Sequence, residues 1–153
     1  MDTLCIKSPV GDLTLFSDDE KIIALSWGVG ADAQRTTKSE QLTQAAKCLD
    51  IYFKTGKADF TPLNLQPHGT VFQRHVWQEM QKIKDGKTKT YGQVAKTLKS
   101  GPRAVGGACG ANPLPILIPC HRIINQNGTI GHYSGGNGAE TKSFLLRLEG
   151  FAN

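Results

Sequence analysis

The sequence predicts an α/β (α+β) fold, in which a small N-terminal sheet-plus-helix domain precedes a mainly helical C-terminal domain with a helix-turn-helix. Short apolar runs separated by turn clusters occupy the first part of the chain, and helical periods with capping signals dominate after residue 70. A stretch with two prolines and no helical period separates these parts. We therefore place the domains at residues 1–66 and 67–153, with a linker at about 57–69.

Three apolar segments predict the strands of the N-terminal domain. They read TLCIKS, GDLTLFS and KIIALSW, and the turn clusters PVGD and SDDE lie between them. A helix is predicted at 39–55, and Gly56 is expected to end it. The inward face of this helix is predicted to consist of Leu42, Ala45, Ala46, Leu49 and Phe53.

The first two helices of the C-terminal domain share one start signal. Thr70 with Gln73, and Thr90 with Gln93, have the S/T-x-x-E/Q spacing of a capping box. The positions expected to be buried on these two helices are Val71, Phe72, Val76, Met80, Ile83, Val94 and Leu98.

A third helix is predicted to begin at Pro102, which suits a first helical position, and to end before Asn112. Together with the preceding helix it is expected to form a helix-turn-helix. An apolar strand is predicted at 116–118, and the last helix, at about 139–149, is closed by Gly150.

Glycines interrupt the third helix, although each interior glycine costs about 1 kcal/mol relative to alanine. They are Gly106, Gly107 and Gly110. Two explanations fit the pattern, namely tight helix packing inside the protein or a small-residue face against a nucleic-acid backbone.

Positive charge is concentrated in the middle of the chain. The whole sequence has 18 Lys and Arg against 13 Asp and Glu, a net charge of +5. Residues 70–111 alone contain eight Lys and Arg and two Asp and Glu. A basic segment of this kind indicates a polyanionic partner, and a solvated lysine-rich surface is the alternative.

Two patterns bear on where the protein acts. The apolar runs are far shorter than the roughly 20 residues of a membrane span, and the N-terminal MDTLCIKSPVGD lacks the basic-then-apolar order of a signal peptide. We therefore expect no membrane association and a cytoplasmic protein, nucleoid-associated if bacterial. The 4 cysteines form no CxxC pair, so free thiols are expected.

Cys120, His121 and Arg122 follow one another directly after Pro119. A cysteine is nucleophilic as the thiolate, which a neighbouring base can produce. In an extended chain the side chains of Cys120 and His121 point to opposite faces, so a water would have to carry the proton, whereas a turn would allow direct contact. Arg122 would supply positive charge or bind a carboxylate.

A set of motifs in a fixed order makes this site more specific. GTVFQRHVWQEM, TYGQVAKTL, RAVGGACGANPLPILIPCHRII, NGTIGHYSGG and FLLRLEG together resemble the alkylguanine-DNA alkyltransferase family, the methylated-DNA–protein-cysteine methyltransferases. The resemblance covers residues 70–150, and the N-terminal part is similar to the family's smaller domain in layout. It implies direct reversal of DNA damage, in which an alkyl group moves irreversibly from the 6-oxygen of guanine, or by the same chemistry the 4-oxygen of thymine, to the protein.

The resemblance implies a role for each matching residue of the reaction centre. Cys120 would take the alkyl group, His121 would act as its base through a water, and Glu149 would orient His121. Asn112 would brace the active-site turn, and Tyr91 would donate a proton to the departing base.

A second group of matching residues would bind the DNA and the base. Arg103 would fill the stack after the nucleotide is flipped, and Tyr133 and Ser134 would line the guanine pocket. The Ile123 carbonyl would contact the exocyclic amine of the base. The small-residue face of the third helix would add Ala104, Gly106 and Gly107.

The resemblance implies a monomer whose partner is double-stranded DNA containing alkylated guanine, with no cofactor and no metal. Cys5 lacks the cysteine and histidine partners of the zinc site that some relatives carry. Two departures from the family pattern are a shorter turn before Arg103 and a longer loop at 137–141. A DNA-binding protein without chemistry and a thiol hydrolase are the rival interpretations; the presence of Cys120 disfavours the first and the basic segment disfavours the second.

Overall fold

The computed structural model describes residues 1–30 and 33–151. The chain forms two compact units, Met1–His68 and Gly69–Asn153. None of the described helices is long and apolar enough to cross a membrane.

The first unit is built on a three-stranded antiparallel sheet of order β1-β2-β3. The strands are β1 (Asp2–Ile6), β2 (Leu13–Asp18) and β3 (Lys21–Trp27), so the three predicted strands are present. The register pairs Leu4 with Leu15 and Leu15 with Leu25. Alternate apolar residues of the strands therefore point to one face, where they form the core of the unit.

The helix α1 (Glu40–Thr55) covers this sheet and begins and ends as the sequence predicts. The Ser39 side chain accepts a hydrogen bond from the Leu42 amide, and Gly56 ends the helix at φ 73°. The buried residues of α1 are Leu42, Ala45, Leu49 and Tyr52. Ala46 and Phe53 are predicted in this set but are only partly buried. The buried face advances in steps of three and four residues and reaches Tyr52 instead of Phe53.

The segment interpreted as a linker is partly bound to the sheet. The Ile22 amide donates to the Asn64 carbonyl at 2.8 Å, and the Gln66 amide donates to the Ile22 carbonyl at 2.8 Å. Leu63 is buried as well. The chain therefore adds one short parallel bridge, between Ile22 and Leu65, before it leaves the first unit.

The described residues of the second unit, 69–151, form four α-helices and a small parallel pairing. The helices are α2 (Val71–Gln81), α3 (Tyr91–Thr97), α4 (Pro102–Gly110) and α5 (Ala139–Leu148). Both predicted capping boxes are formed. The pairing joins β4 (Lys89–Thr90) to β5 (Ile123–Ile124), and the sequence did not predict it because each strand has two residues.

One face of α2 differs from the expected stripe. Val71 is 61% exposed, whereas Trp77 is buried and its indole N–H donates to the Ala108 carbonyl at 2.9 Å. The tryptophan needs a partner for its polar N–H once it is buried, and the end of α4 supplies one. Trp77 thereby joins α2 to α4.

The turn of the helix-turn-helix lies between α3 and α4. The Ser100 amide donates to the Ala95 carbonyl at 2.8 Å, and Lys99 has φ 54°, which is the pattern of a Schellman motif. Pro102 then starts α4 as its first residue. The turn that the sequence shows to be short is thus a compact helix C-cap.

The predicted strand at 116–118 is wrong. The Ile118 amide donates to the Leu114 carbonyl at 2.8 Å, and Ile116 has φ 73°, so the chain turns back on itself there. Pro113, Pro115 and Pro119 lack the N–H groups that a strand pairing would use. The segment is nevertheless as buried as a core strand, which explains why it reads as one.

Candidate active site

Cys120 lies at the start of a single 3₁₀ turn, Cys120–Arg122, rather than in extended chain. Its amide donates to the Ile118 carbonyl at 2.8 Å, and the Arg122 amide donates to the Pro119 carbonyl at 3.0 Å. The fixed φ of Pro119 favours this change of direction. Cys120 is only 6% exposed.

Asn112, in the connection after α4, braces the segment that leads to this turn. Its side-chain N–H donates to the Ile118 carbonyl at 2.8 Å, and its side-chain oxygen accepts from the Leu114 amide at 2.9 Å. A hydrogen bond from the Asn112 side chain also favours the thiolate of Cys120. Asn112 thus holds the backbone on both sides of the tight turn at Ile116.

His121 is completely buried and faces Glu149 rather than Cys120. Its Nε2 lies 2.6 Å from Oε2 of Glu149, the residue that caps the end of α5. Burial lowers the pKa of His121, so the ring is neutral near pH 7. Since the carboxylate only accepts, Nε2 carries the ring proton and Nδ1 holds a free electron pair.

The other ring nitrogen of His121, Nδ1, is the atom that would take the proton from Cys120. The sequence left two routes open, a direct contact and transfer through a water. Nδ1 is buried and has no hydrogen-bond partner among the residues that the structure describes. The chain does turn at Cys120, yet this turn brings no direct hydrogen bond between the thiol and Nδ1. Transfer through a water, the role that the resemblance implies for His121, therefore stays a prediction.

Arg122 completes the cluster around Glu149. Its Nε donates to Oε1 at 2.8 Å and its Nη2 to Oε2 at 3.2 Å, while Nη1 donates to the Ile83 carbonyl just beyond α2. Burial by itself would raise the pKa of the Glu149 carboxyl, but the hydrogen bonds and charges of His121 and Arg122 lower it to about 2. Of the two sequence alternatives for Arg122, the structure selects carboxylate binding.

The thiol of Cys120 rests in its protonated form. Burial raises the pKa of Cys120, and hydrogen bonds from Asn112 and Tyr133 together with the charge of Lys142 oppose that rise. Tyr133 is itself buried, and burial next to Cys120 raises the pKa of its phenol. Its O–H therefore remains a donor that can stabilise sulfur as charge develops there.

Two further groups lie near the thiol, Tyr91 and Lys142, and only Tyr91 is predicted from the sequence. Burial, with the charges of Cys109 and Cys120, raises the pKa of Tyr91 to about 12, so the phenol keeps its proton. Lys142 of α5 is fully buried, and its ammonium lies 5.7 Å from the centre of the Tyr91 ring. Burial lowers the pKa of Lys142 to about 8. A lone lysine in a helix has no sequence signal for burial, so only the fold could identify it.

The loop after Tyr133 is closed by the first turn of α5. The Asn137 amide donates to the Thr141 hydroxyl at 2.9 Å. Gly136 has φ 51°, and a Cβ there would lie 2.6 Å from the same hydroxyl oxygen, so this position requires glycine. Residues 139–141 belong to α5, so the loop expected at 137–141 is shorter than the sequence indicated. Ser134 is exposed beside the buried Tyr133.

Of the residues predicted to bind the DNA and the base, Arg103, Ala104, Gly106 and Gly107 lie on α4 of the helix-turn-helix. Ile123 is in β5, and Tyr133 and Ser134 are in the loop before α5. Arg103, Ala104 and Gly107 are exposed on α4, and Gly106 is partly exposed. Apart from the adjacent residues and the backbone of its own helix, a Cβ added at Gly106, Gly107 or Gly110 would have no described atom within 4 Å. Tight packing inside the protein therefore does not explain these glycines. Ile123 is fully buried.

The fold and the site define a class: a helix-turn-helix protein that carries a buried, hydrogen-bonded cysteine beside a histidine–glutamate pair. Two family models match the chain. The 6-O-methylguanine DNA methyltransferase, DNA binding domain, matches residues 71–151, and the ribonuclease-like domain of the same family matches residues 4–67.

Individual relatives agree with the family models. The methylated-DNA–protein-cysteine methyltransferase of Metallosphaera sedula is 38% identical over 94% of this chain and 89% of its own length, and that of Haemophilus influenzae is 38% identical over 93% and 82%. The crystal structure of Mycobacterium tuberculosis OGT in complex with DNA superposes with a TM-score of 0.79 at 32% identity, covering 97% of this chain and 92% of that one. The chain belongs to the 6-O-methylguanine DNA methyltransferase family.

The cluster around Glu149 gives a prediction about stability. Replacing Glu149 by Gln leaves the buried Arg122 guanidinium without its counter-charge, so the free energy of unfolding should fall by about 3–5 kcal/mol. In the wild type the folded pKa of about 2 lies below the ordinary value of 4.5, so the carboxylate stabilises the fold above pH 4.5 and this contribution is lost as the pH falls towards 2. Urea unfolding from pH 7 to pH 2 should therefore show a smaller acid-induced loss in Glu149→Gln.

The matched control is Glu140→Gln, which removes an exposed carboxylate from the first turn of the same helix. It should change the free energy of unfolding by about 1 kcal/mol or less. Equal effects of the two substitutions would contradict the assigned role of the Glu149 cluster.

Proposed function

We propose that this protein repairs DNA by direct reversal, moving a methyl or larger alkyl group from the 6-oxygen of guanine to the sulfur of its own Cys120. Membership of the methyltransferase family supports this reaction. The observation that carries the assignment to Cys120 is its position: a buried thiol in the same turn as His121, at the end of a segment that the Asn112 side chain braces. Displacement at an alkyl carbon requires a soft nucleophile, which sulfur provides.

The proposed route begins with the thiol proton. A water passes it from Cys120 to Nδ1 of His121, the buried atom without a partner among the described residues. Glu149, bonded to Nε2, then stabilises the imidazolium. Because burial raises the pKa of Cys120, the thiolate forms when the alkylated base is in place rather than persisting in the free protein.

The bond changes then follow as a displacement. The sulfur of Cys120 bonds to the alkyl carbon, the bond from that carbon to the guanine oxygen breaks, and the electron pair moves into the base. Tyr91 supplies a proton to the departing base, and its pKa of about 12 keeps that proton available until charge develops. The thioether that remains has no hydrolysis route, so each molecule acts once.

The DNA contacts are assigned to the second unit. Double-stranded DNA would bind the basic segment 70–111, with the exposed face of α4 against its backbone. The small residues Ala104, Gly106 and Gly107 allow a close approach, and Arg103 would occupy the stack when the alkylated nucleotide is flipped out. Ser134 and the Ile123 carbonyl would contact the flipped base beside Tyr133. We propose that the protein acts as a monomer in the cytoplasm, where it meets chromosomal DNA.

The reaction is tested by replacing Cys120. After incubation with a duplex that contains methylguanine, the intact mass of the wild-type protein should increase by one methyl group, and peptide mapping should locate the group on Cys120. Cys120→Ala should gain no mass while its affinity for the duplex stays close to wild type, since binding depends on phosphate contacts. Methyl transfer to Cys120→Ala, or methylation of another residue of the wild type, would contradict the assignment.

The role of Arg103 is tested with two substrates. If Arg103 fills the stack, Arg103→Ala should slow transfer from duplex DNA strongly and transfer from free alkylguanine little, because the free base has no stack to leave. Arg103→Lys should recover part of the loss, since it keeps the charge and length but not the planar group.

The measurement for Arg103 is the single-turnover rate at saturating duplex, compared with the rate on the free base. A deficit that disappears at saturating DNA would assign Arg103 to a phosphate instead. Equal losses on both substrates would exclude the stack-filling role.

The exposed small residues of α4 give a further prediction. A Cβ at Gly107 meets no described protein atom within 4 Å, so Gly107→Ala should raise the free energy of unfolding by up to about 1 kcal/mol. The same methyl group should weaken duplex binding, because it separates the helix from the DNA backbone. Thermal unfolding and duplex titration measure the two effects, and transfer from free alkylguanine should stay at the wild-type rate. Undiminished duplex affinity would contradict the proposed position of α4.

A further inference from the structure

The proposed reaction makes no use of Lys142, the buried cation of α5. Its side chain is completely buried. The structure shows no ion pair between its ammonium and a carboxylate of the described residues. A lysine is rarely buried in full unless a counter-charge accompanies it. The position therefore needs an explanation that packing alone does not give.

Two contacts define where the ammonium of Lys142 lies. Its Nζ donates to the His132 carbonyl at 3.2 Å, and it lies over the ring of Tyr91, 5.7 Å from the ring centre. Tyr91 is the first residue of α3, and His132 directly precedes Tyr133 in the loop before α5. Lys142 thus joins the start of α3 to the loop that contains Tyr133 and Ser134.

In the proposed reaction, these two contacts support two walls of the base pocket. Tyr91 supplies a proton to the base, and Tyr133 and Ser134 lie beside it. A positive charge is attracted to the face of an aromatic ring, and a charged N–H donates to a carbonyl more strongly than a neutral one. Loss of the charge of Lys142 would therefore weaken both contacts at once.

The charge of Lys142 costs stability in the free protein. Burial lowers the pKa of Lys142 to about 8, so near pH 7 the side chain is an ammonium in spite of the cost of desolvation. A methionine also has an unbranched side chain and would occupy this space without burying a charge. Groups that are perturbed in this way are typical of functional sites.

We propose that Lys142 is a positioning residue for the transfer, which holds the Tyr91 phenol and the loop at His132 in the places that the flipped base requires. This role rests on the proposed function, in which Tyr91 is the proton donor. When the O–H bond of Tyr91 breaks and its proton bonds to the departing base, negative charge develops on the phenol oxygen. The ammonium of Lys142 stabilises this charge and keeps its own proton throughout.

With this role, α5 positions reacting groups from both of its ends. Glu149, which caps the end of the helix, lies 2.6 Å from Nε2 of His121, the proposed base for the thiol. Lys142, near the start of the helix, lies over the ring of Tyr91, the proposed acid. One helix thus places the acid and the base of the same reaction.

A pH series isolates Lys142 because the groups around it titrate elsewhere. The titratable or charged groups of the surrounding elements and of α5 itself are Tyr91, Cys109, Cys120, His121, Arg122, Tyr133 and Glu149. Burial raises the pKa of the thiols and phenols in this set and lowers that of the imidazole. The carboxyl has a pKa of about 2, and the guanidinium stays charged. Near pH 8, the charge that changes is therefore that of Lys142.

The measurement is the single-turnover rate of methyl transfer from a saturating methylguanine duplex, followed from about pH 6 to about pH 10. The wild-type rate should fall above about pH 8, where Lys142 loses its proton. Near pH 7, Lys142→Met should be slower by roughly tenfold or more, since small displacements of reacting groups cost up to about 100-fold. Its rate should show no fall above about pH 8, and its melting temperature should equal or exceed that of the wild type.

Lys142→Arg separates the charge from the shape of the side chain. A guanidinium remains charged throughout the pH series and still donates to a carbonyl, so this variant should be faster than Lys142→Met and show no alkaline fall. The matched control is Arg147→Met, which removes an exposed cation from the same helix. It should keep both the wild-type rate and the fall above about pH 8.

Three outcomes would overturn the role of Lys142. The first is a wild-type rate near pH 7 in Lys142→Met. The second is a wild-type rate that does not fall above about pH 8, or that falls equally in Lys142→Arg. The third is a melting temperature of Lys142→Met that drops together with its rate, which would mark a merely structural residue.

Methylation of Cys120 is measured by intact mass in the same wild-type samples. Its absence at every pH would contradict the proposed function itself. Its presence together with any of the three outcomes would contradict only the role of Lys142.

Discussion

The second unit depends on the hydrogen bonds and ion pairs that the Glu149 carboxylate forms. It accepts from His121 Nε2 at 2.6 Å and from Arg122 Nε at 2.8 Å, and its side chain is fully buried. Through Arg122 it also reaches the Ile83 carbonyl, so the ends of α5 and α2 and the turn at Cys120 are tied to one group. Burying a charge without hydrogen-bond partners costs free energy. These three elements are therefore held in the positions in which His121 and Arg122 hydrogen-bond the Glu149 carboxylate.

In the proposed reaction, that constraint allows a weakly acidic buried thiol to serve as the nucleophile. Burial raises the pKa of the Cys120 thiol, so in the proposed reaction the thiol stays protonated between encounters with damaged DNA. The same burial makes each hydrogen bond to a developing thiolate stronger. The histidine proposed to accept the proton, His121, is fixed in one tautomer by Glu149, so its free electron pair is at Nδ1. In the proposed reaction, the reactivity of Cys120 thus depends on the position and tautomer of His121 and not on a low pKa of the thiol.

Sequence patterns predicted the parts of the fold that depend on neighbouring residues. The capping boxes at Thr70 and Thr90 and the stop at Gly56 are local hydrogen-bond and backbone signals, and each is present where it was expected. The prediction of a strand at 116–118 is wrong because the burial of these residues comes from tertiary contacts and not from a strand pairing. Lys142 was missed for the same reason, since helical periodicity assigns lysine to the surface. The site roles themselves came from the family resemblance.

The backbone at Ile116 indicates what keeps the reactive turn in place. A β-branched residue at φ 73° is strained by about 1–3 kcal/mol, and such strain persists only when the surroundings determine the conformation. Here the Ile116 side chain is 1% exposed, and Asn112 bonds the chain on both sides of it. Glycine would relieve the strain but would remove the buried side chain and increase the freedom of the unfolded chain. The strained isoleucine is therefore the more rigid solution. In the proposed reaction, a rigid approach to Cys120 reduces the entropy that must be lost when sulfur and alkyl carbon are aligned.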